Sequence, residues 1–382
     1  MSASSRPRLI LILLVLMMLA VTAVTAVAYP HQGPLTVENP ELLGMATFET
    51  GTEFAGTEVG GLSGITYNPF WDVYYVLSDD RSQTNPARYY IVDIDLADGS
   101  LDDGDVSFER VVYLREKRWR LFAEGTLDPE GIELVRPGLL FISSEGDAAS
   151  DPPVNPFVNR FQPWGRQQHV LTIPDKFLLD GAETFGIRDN LAFESLTSTP
   201  NNRLLVTAVE NALHQDGPPS TLTDESPARF LLYNARNRRP GPEYVYMVAP
   251  IPKDSDPAGV FADNGLVDLQ AVDNVGTFVA VERSFAVGVG NTVRVFESST
   301  QEATNVAGLE SLLGQSYTPM SKELLFDFET DLGLAPDNIE GVTFGPQLPD
   351  GRDVLIFVSD NNFNPAQITQ FIAVAVDVVA AE

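Results

Sequence analysis

Short apolar runs separated by polar turns dominate the chain. The runs are 5–8 residues long, rich in Val, Ile, Phe and Tyr, and bounded by Pro, Gly, Asn and Asp. This length and composition are typical of β-strands, because β-branched and aromatic side chains fit a pleated, half-buried surface. Helical periodicity is weak, and the best candidate for a short helix is ATNVAGLESLLGQ at 303–315. The pattern predicts an all-β protein.

Five segments of the chain repeat one plan. Each has a short strand with a polar residue near its start, a turn, a very apolar strand that ends near an acid, a loop and a third strand. The polar residues recur at intervals of 64 to 76 positions, at Ser63, Glu130, Glu194, Gln270 and Glu340. A supersecondary unit repeated at a nearly fixed period is the signature of a repeat architecture, here a β-propeller.

We therefore predict a β-propeller with five detectable four-stranded blades. Fourth strands are visible as VSFERVVYL, EYVYMVAPI and KELLFDF, and GMATFET at 44–50 is expected to close the ring as the outer strand of the last blade. A sixth, degenerate blade within 95–125 or 228–262 stays open. A pair of β-sandwiches is the alternative fold, but it would not produce this period.

The N-terminal segment resembles a targeting sequence. Arg6 and Arg8 precede an uninterrupted apolar stretch at 9–28, which ends in the small residues Ala-Val-Ala. This pattern predicts a signal peptide at 1–28, cut before Tyr29, and export to the periplasm or the extracellular space. Retention as a membrane anchor stays open, because about 20 apolar residues span a bilayer. Residues 29–382 are then expected to form a single propeller domain. The sequence contains no cysteine, which excludes disulfides.

The charge balance is strongly acidic, with 24 basic and 53 acidic residues and a formal net charge of −29. Such a surface repels nucleic acid and anionic membranes and attracts cations. We expect a monomer that binds a small molecule, with no nucleic-acid partner and no membrane contact apart from the leader.

The recurring acids predict two rings around the propeller axis. In a propeller the innermost strands line a central channel, so residues at equivalent strand ends converge. Crowded carboxylates raise one another's pKa unless a cation compensates, and oxygen ligands favour Ca²⁺ or Mg²⁺ over zinc. The alternative is that each acid accepts hydrogen bonds from nearby backbone N–H groups. The first ring holds the polar residues named above, and the second holds Asp79 or Asp80, Glu145, Glu210, Glu282 and Asp360.

Two arginines directly follow predicted ring acids. Arg81 lies in SDDRS and Arg283 lies in VERSF. A guanidinium beside metal-bound carboxylates would hold a phosphate by bidentate hydrogen bonds. The alternative is that each arginine pairs with its neighbouring acid. Motifs for other chemistries, namely a Cys nucleophile, HExxH, GxSxG and a P-loop, do not occur.

Several motifs, taken in order, resemble one known family. They are DPEGIEL (128–134) with LFISSEGD (140–147), NLAFESLT (190–197) with LLVTAVENA (204–212), FVAVERSF (278–285), and DNIEGVTFGP (337–346) with LIFVSDNN (355–362). Together they are similar to the phytase-like family of secreted proteins, which is often labelled as having an esterase-like activity of phytase. The similarity runs from about Gly60 to Val376.

The resemblance implies a propeller hydrolase related in architecture to the calcium-dependent alkaline phytases, which hydrolyse phosphate monoesters at Ca²⁺ ions in an acidic channel. It implies Arg81 and Arg283 as phosphate clamps, and with them we take Glu130 and Glu340 as candidate catalytic residues. The chain is poor in lysine and has Ser63 and Gln270 in place of glutamate, so phytate itself is not implied. The metal-facing acids implied by motif are Glu130, Glu145, Glu194, Glu210, Glu282, Glu340 and Asp360.

Two functional hypotheses follow. The first is a secreted, Ca²⁺-dependent phosphoesterase that acts on a phosphate ester at the propeller axis, with Mg²⁺ as the other possible metal. The second is a non-catalytic or lactonase-like propeller, in which the acids hold structural Ca²⁺ and the top face binds a ligand or a partner. They differ in whether metals and an arginine share one pocket.

Overall fold

The computed structural model describes residues 33–180, 182 and 184–381. Within these residues the chain forms 22 strands, and its single helical element is a 3₁₀ turn at Asp175–Phe177. The leader predicted at 1–28 lies outside the described residues. No helix in the described part of the chain is long and apolar enough to span a membrane.

Four blades are built from consecutive strands, each pairing antiparallel with the next. The first three strands of the chain, which precede them, are β1 (Leu35–Glu49), β2 (Glu53–Phe54) and β3 (Thr57–Glu58). Blade one holds β4 (Leu62–Asn68), β5 (Val73–Ser78), β6 (Arg88–Ile94) and β7 (Val106–Tyr113). Blade two holds β8 (Pro129–Arg136), β9 (Leu139–Ser144), β10 (Phe157–Phe161) and β11 (Gln167–Val170).

The same order continues through the next two blades. Blade three holds β12 (Phe193–Ser198), β13 (Leu204–Val209), β14 (Ser226–Asn234) and β15 (Pro240–Val248). Blade four holds β16 (Ala262–Ala271), β17 (Thr277–Ala286), β18 (Gly290–Ser299) and β19 (Ser321–Asp327). The innermost strands β4, β8, β12 and β16 are the first of their blades and contact one another in sequence.

The fifth blade joins the two ends of the described chain. It holds β20 (Asn338–Phe344), β21 (Asp353–Asp360) and β22 (Ile368–Ala380), and β1 completes it as the outermost strand. The pairing of β1 with β22 runs from Leu35 opposite Ala380 to Glu49 opposite Ile368. The inner strand β20 contacts both β16 and β4, which closes the ring. The five-bladed propeller and the closing role of GMATFET are confirmed.

Burial decreases from the axis to the rim, which explains the two kinds of apolar pattern. Every residue of β9 is buried, whereas in β7 only Val106 and Val112 are buried. A strand covered on both faces reads as a continuous apolar run, and a strand with one face in water alternates. Hydrophobic side chains pack between neighbouring blades, as Val76 of blade one does with Val358 and Phe371 of blade five.

Two further predictions can be compared with the structure: the possible sixth blade and the short helix. Segments 95–125 and 228–262 supply outer strands and loops of blades one and three, so neither is a sixth blade. The short helix predicted at 303–315 is wrong, because the segment forms turns that pack on blade three. Val306 and Leu312 cluster with Val245 of β15, and the Val306 N–H donates to the Glu243 carbonyl over 2.8 Å. These tertiary contacts outweigh a weak helical tendency.

Candidate metal centre

Each inner strand contains a β-bulge, where an extra residue interrupts its pairing with the second strand of the blade. A bulge breaks the strict alternation of side chains and re-aims the extra residue. The three glutamates among the bulged residues line one cavity of about 670 Å³. The bulged residues are Ser63, Glu130, Glu194, Val267 and Glu340.

The second ring is formed by the residue of each second strand, or directly after it, that lies opposite the position two residues before the bulge. In blades one to three the backbone N–H of this residue donates to the carbonyl just before the inner strand. In blades four and five the same position is defined by the ladder. The five equivalent pairs are Asp79 with Gly61, Glu145 with Asp128, Glu210 with Ala192, Arg283 with Gly265, and Asp360 with Asn338.

Blade four departs from the predicted rings at both positions. Its bulged residue is Val267, and Gln270 lies three residues further along the strand, where its amide donates to the Ala271 carbonyl. Its second-ring residue is Arg283, one position after the predicted Glu282. The blade therefore places an apolar group and a cation where the other blades place mostly acids.

Glu282 lies outside the cavity and has structural partners. Its carboxylate accepts hydrogen bonds from the hydroxyl of Tyr246 at 2.9 Å, from the Ala249 N–H and from the Asn264 amide, and it pairs with Lys322. Adjacent residues of a strand point to opposite faces, so the side chain of Glu282 points away from the axis while that of Arg283 faces the cavity. The predicted place of Glu282 in the ring is corrected.

The open choice between Asp79 and Asp80 is resolved by the same rule. Asp79 lines the cavity. Asp80 is buried against Arg88, whose Nη1 lies 2.7 Å from its Oδ2, and it accepts backbone hydrogen bonds from the turn at 83–85. Asp80 therefore organises the loop that follows β5 and takes no place in the ring.

Eight carboxyl groups converge at this end of the propeller, and we call them the axis cluster. Two triads within it have oxygen atoms that all lie within 4.8 Å of one another: Asp128 with Glu130 and Glu145, and Glu145 with Glu194 and Glu210. Both triads contain Glu145. These acidic groups could hold a metal ion. The axis cluster consists of Asp79, Asp128, Glu130, Glu145, Glu194, Glu210, Glu340 and Asp360.

Asp128 is a site residue that the repeat pattern of the sequence did not predict. It stands two residues before the bulged Glu130 in DPEGIEL, and it pairs with Glu145 across the blade. Its position could have indicated a place in the site, because the residue two positions before each bulge lies opposite the second-ring residue. In the other blades that position is Gly61, Ala192, Gly265 or Asn338, so no repeated acid marked it.

The protein environment disfavours charge on the axis cluster. Burial, reinforced by neighbouring carboxylates, raises the pKa of Asp79 to about 7 and the pKa of Asp128 to about 8. Burial likewise raises the pKa of Glu130 and Glu194 well above the usual range for glutamate, with Asp128 and Glu145 as the largest charge contributions respectively. Either protons or a bound cation must compensate for the crowding.

Both predicted arginines lie at the cavity, each beside an acid. Arg81 Nη2 lies 2.5 Å from Asp128 Oδ2 and 3.2 Å from the amide oxygen of Asn190. Arg283 Nη2 lies 3.1 Å from Glu340 Oε1. The Nε of Arg283 is buried and has no hydrogen-bond partner among the described residues. Burial alone would lower the pKa of Arg283, but Glu340 and other carboxylates outweigh it and raise the pKa.

The cluster also has acceptor atoms without donors. Asp79 Oδ1 and Asp128 Oδ1 are buried and accept no hydrogen bond within the described chain. Two glycines leave room for the acids: a Cβ on Gly61 would lie 1.9 Å from Asp79 Oδ1, and a Cβ on Gly265 would lie 1.9 Å from Glu210 Oε1. Unsatisfied buried carboxylate oxygens in an all-oxygen donor set fit a hard divalent cation.

A family model decides the relationship of this chain to known proteins. The model of the family Phytase-like, described as "Esterase-like activity of phytase", matches residues 57–363. The chain belongs to the Phytase-like family. The match includes all eight acids of the axis cluster and both arginines. For this phytase-like protein, the individual roles of these residues stay predictions.

No curated protein matches this phytase-like chain. Similar solved structures include "Structure of Dos1 propeller", at 8% identity over 84% of this chain and 69% of that chain, with a TM-score of 0.34. They also include "Crystal structure of RRP9 WD40 repeats", at 10% identity over 89% and 100% of the two chains, with a TM-score of 0.38. A "Hypothetical protein from leishmania major" matches at 9% identity over 89% and 85%, with a TM-score of 0.35. We draw no argument from similarities at this level.

Proposed function

We propose that the protein is a Ca²⁺-dependent phosphoesterase that hydrolyses a phosphate ester at the axis cluster. The observation that carries the proposal is the pair of carboxylate triads that share Glu145, with Arg81 and Arg283 in the same cavity. Membership of a family described by an esterase-like activity of phytase supports a hydrolase. We further propose that the leader exports the protein and that it acts as a monomer on a small molecule.

The donor set favours calcium over other metals. Among the described residues that line the cavity, the possible metal ligands are carboxylate and amide oxygens, with no histidine among them, and Ca²⁺ takes six to eight oxygen ligands. One ion would be held by Asp128, Glu130 and Glu145, and a second by Glu145, Glu194 and Glu210. Mg²⁺ is the other candidate, although it demands a more regular octahedral site.

The residues of the chain have distinct proposed tasks. A bound metal would supply electrostatic stabilisation of the phosphate and a water molecule of lowered pKa. The unpaired Nε of Arg283 would donate to a phosphate oxygen, while Glu340 fixes the guanidinium from the other side. Arg81, which lines the same cavity, would also donate to the phosphate. Glu130, with the carboxylate oxygen that does not hold the metal, would take the proton that the attacking water releases.

One observation favours a second candidate function. Both arginines already pair with carboxylates, Arg81 with Asp128 and Arg283 with Glu340. A site neutralised in part by its own arginines would hold Ca²⁺ for structural reasons only. The protein would then be a non-catalytic or lactonase-like propeller whose top face binds a ligand.

Calcium titration with two readouts separates the candidates. The protein is stripped with a chelator and titrated with Ca²⁺, while the melting temperature and the release of phosphate from p-nitrophenyl phosphate are followed. We expect both to rise together, and Glu145→Gln to lose both responses. A rise in melting temperature without turnover of this or any other phosphoester would favour the second candidate. No response of either kind would refute the metal site for both.

A further inference from the structure

A second cavity lies directly beside the axis cluster and differs from it in chemistry. It encloses about 460 Å³, within the range of pockets that hold small organic ligands. Its apolar lining comes from two segments that follow ring acids and from two neighbouring loops. The apolar lining residues are Ala148, Ala149, Pro153, Leu179, Leu191 and Pro219.

One short segment of chain separates the two cavities. Asn190 lines the cavity of the axis cluster, where its amide oxygen accepts a hydrogen bond from Arg81, while its neighbours Asp189 and Leu191 line the apolar cavity. The next residue, Ala192, donates its backbone N–H to Glu145. Because consecutive Cα atoms are about 3.8 Å apart, the two cavities are immediate neighbours on either side of Asn190, and a ligand that occupies both has to pass over this residue.

Arg188 and Asp189 in the wall of the apolar cavity help to build it, and Asp180, which also lines it, accepts hydrogen bonds from the Ala182 N–H and the Thr184 hydroxyl. His214 is the remaining polar residue of the lining. Arg188 donates to the carbonyl oxygens of Ala212 and Gly217 over 3.0 and 2.7 Å. Asp189 accepts hydrogen bonds from the backbone N–H groups of Ala148 and Ala149 over 3.1 and 3.2 Å. These contacts hold the two segments of the wall against each other, so the cavity suits an uncharged occupant.

We propose, on the basis of the phosphoesterase function above, that the apolar cavity binds the organic group of the substrate. The substrate class is then a phosphate monoester of an aryl or bulky alkyl alcohol. A polyphosphorylated polyol fits poorly, because its further phosphates would lie against the wall of the apolar cavity. The one arginine in that wall, Arg188, already donates to backbone carbonyls. Burying about 60–100 Å² of an aryl group contributes about 1.5–2.5 kcal/mol, which corresponds to a preference of roughly 10-fold to 70-fold.

Binding of two non-hydrolysable probes tests this substrate class. Dissociation constants of phenylphosphonate and methylphosphonate are measured by calorimetry on the full chain in saturating Ca²⁺, which removes differences in leaving-group reactivity. We expect phenylphosphonate to bind at least 10-fold more tightly. The ratio should fall to near 1 in Leu191→Asn, and also in Ala149→Phe, which fills the cavity instead of making it polar. Leu324→Asn, at an exposed position on the outer strand of blade four, is the matched control and should keep the ratio.

The outcomes separate the inference from its premise. Equal affinity for the two phosphonates in the wild-type protein would overturn the apolar subsite while leaving the phosphate site intact. A phenyl preference that survives both Leu191→Asn and Ala149→Phe would place the aryl group elsewhere and would also overturn it. If neither phosphonate binds, the proposed phosphate site itself fails, and the inference fails with it.

Discussion

Two groups of buried charged residues in this propeller differ in their balance of positive and negative charge. In blade three, Arg229 Nε lies 2.6 Å from Asp216 and Arg229 Nη1 lies 2.9 Å from Glu243, which also pairs with Lys176 at 3.4 Å. This blade-three cluster has two cations for two anions. The axis cluster has eight carboxyl groups, and the cations that line its cavity in the described part of the chain are Arg81 and Arg283.

The difference distinguishes a cluster whose charges are balanced within the chain from one whose charges are not. The blade-three cluster satisfies its own charges and ties segment 305–312 to the blade, because the Leu312 N–H donates to Asp216 and Lys176 donates to the carbonyls of Ala307 and Leu309. The axis cluster has buried oxygen atoms without donors and an excess of acids. A buried charge is tolerated only when it is compensated, so the axis cluster requires protons or a cation that the chain does not supply.

Removing a charge from the blade-three cluster should have the largest effect on stability. Arg229→Met leaves Asp216 and Glu243 without their main partner, and we expect a loss of about 3–5 kcal/mol in the free energy of unfolding. Urea denaturation measures this loss. The control is Glu329→Gln, which removes an exposed partner of Lys253 and should cost about 0.2–1 kcal/mol. A loss below 1 kcal/mol for Arg229→Met would mean that the two clusters do not differ as described.

Removing a charge from the axis cluster should have the opposite effect on the metal-free protein. Glu145→Gln keeps the hydrogen bond from the Ala192 N–H but removes a crowded carboxylate, so metal-free stability should stay equal or rise. Activity in Ca²⁺ should fall at least 100-fold, about 2.7 kcal/mol of transition-state stabilisation. Chemical denaturation in chelator and steady-state kinetics in Ca²⁺ check the two halves. Marked destabilisation in chelator would instead make Glu145 a structural residue.

The pH dependence of stability should also distinguish the clusters. The folded-state pKa values of Asp79 and Asp128 are raised to about 7 and about 8, so the folded protein binds more protons than the unfolded chain above pH 4. Metal-free stability should therefore fall as the pH rises from about 4 to about 8. Denaturation at several pH values in chelator measures the slope. The double variant Asp79→Asn with Asp128→Asn should flatten it, and an unchanged slope would assign the effect to other groups.

The smallest expected effect comes from a residue with no charge. Gly265→Ala places a Cβ 1.9 Å from Glu210 Oε1 and forces the carboxylate to turn away. We expect about a 10-fold loss of Ca²⁺ affinity, or about 1.4 kcal/mol, measured by calorimetry. Gly308→Ala is the matched control, since a Cβ there meets no atom within 4 Å. Equal calcium affinity in both variants would remove Glu210 from the site.

The fold was predictable because propeller blades leave a strong trace in the sequence. The inner and second strands are buried on both faces, so segments such as LLFISS at 139–144 read as continuous apolar runs at a regular period. The closing strand was also visible, since GMATFET is an apolar segment without a partner near it in the chain. The segment at 303–315 was not predictable, because its turns depend on contacts with β15.

The ring positions were predictable in blades two, three and five, apart from Asp128 of blade two. In blade four the prediction failed. There the bulge at Val267 shifts the register, and the reading matched Gln270 and Glu282 to the wrong positions. Asp268 follows the bulge where blades one, two and five have glycine, and its carboxylate accepts a hydrogen bond from the Val342 N–H of the next inner strand. One unrecognised extra residue is enough to exchange the two faces of a strand.

The strand β1 has a consequence for how the molecule is made. More than three hundred residues separate Leu35 from Ile368, so β1 leaves the ribosome long before the strand that it pairs with exists. No nascent chain can close its own ring, and blade five is the last part to form. Until blade five has formed, the free edge of β22 can pair equally well with β1 of a second copy of the chain. Exchange of this strand between two chains is therefore the misfolding product to expect when synthesis is fast and the protein is crowded.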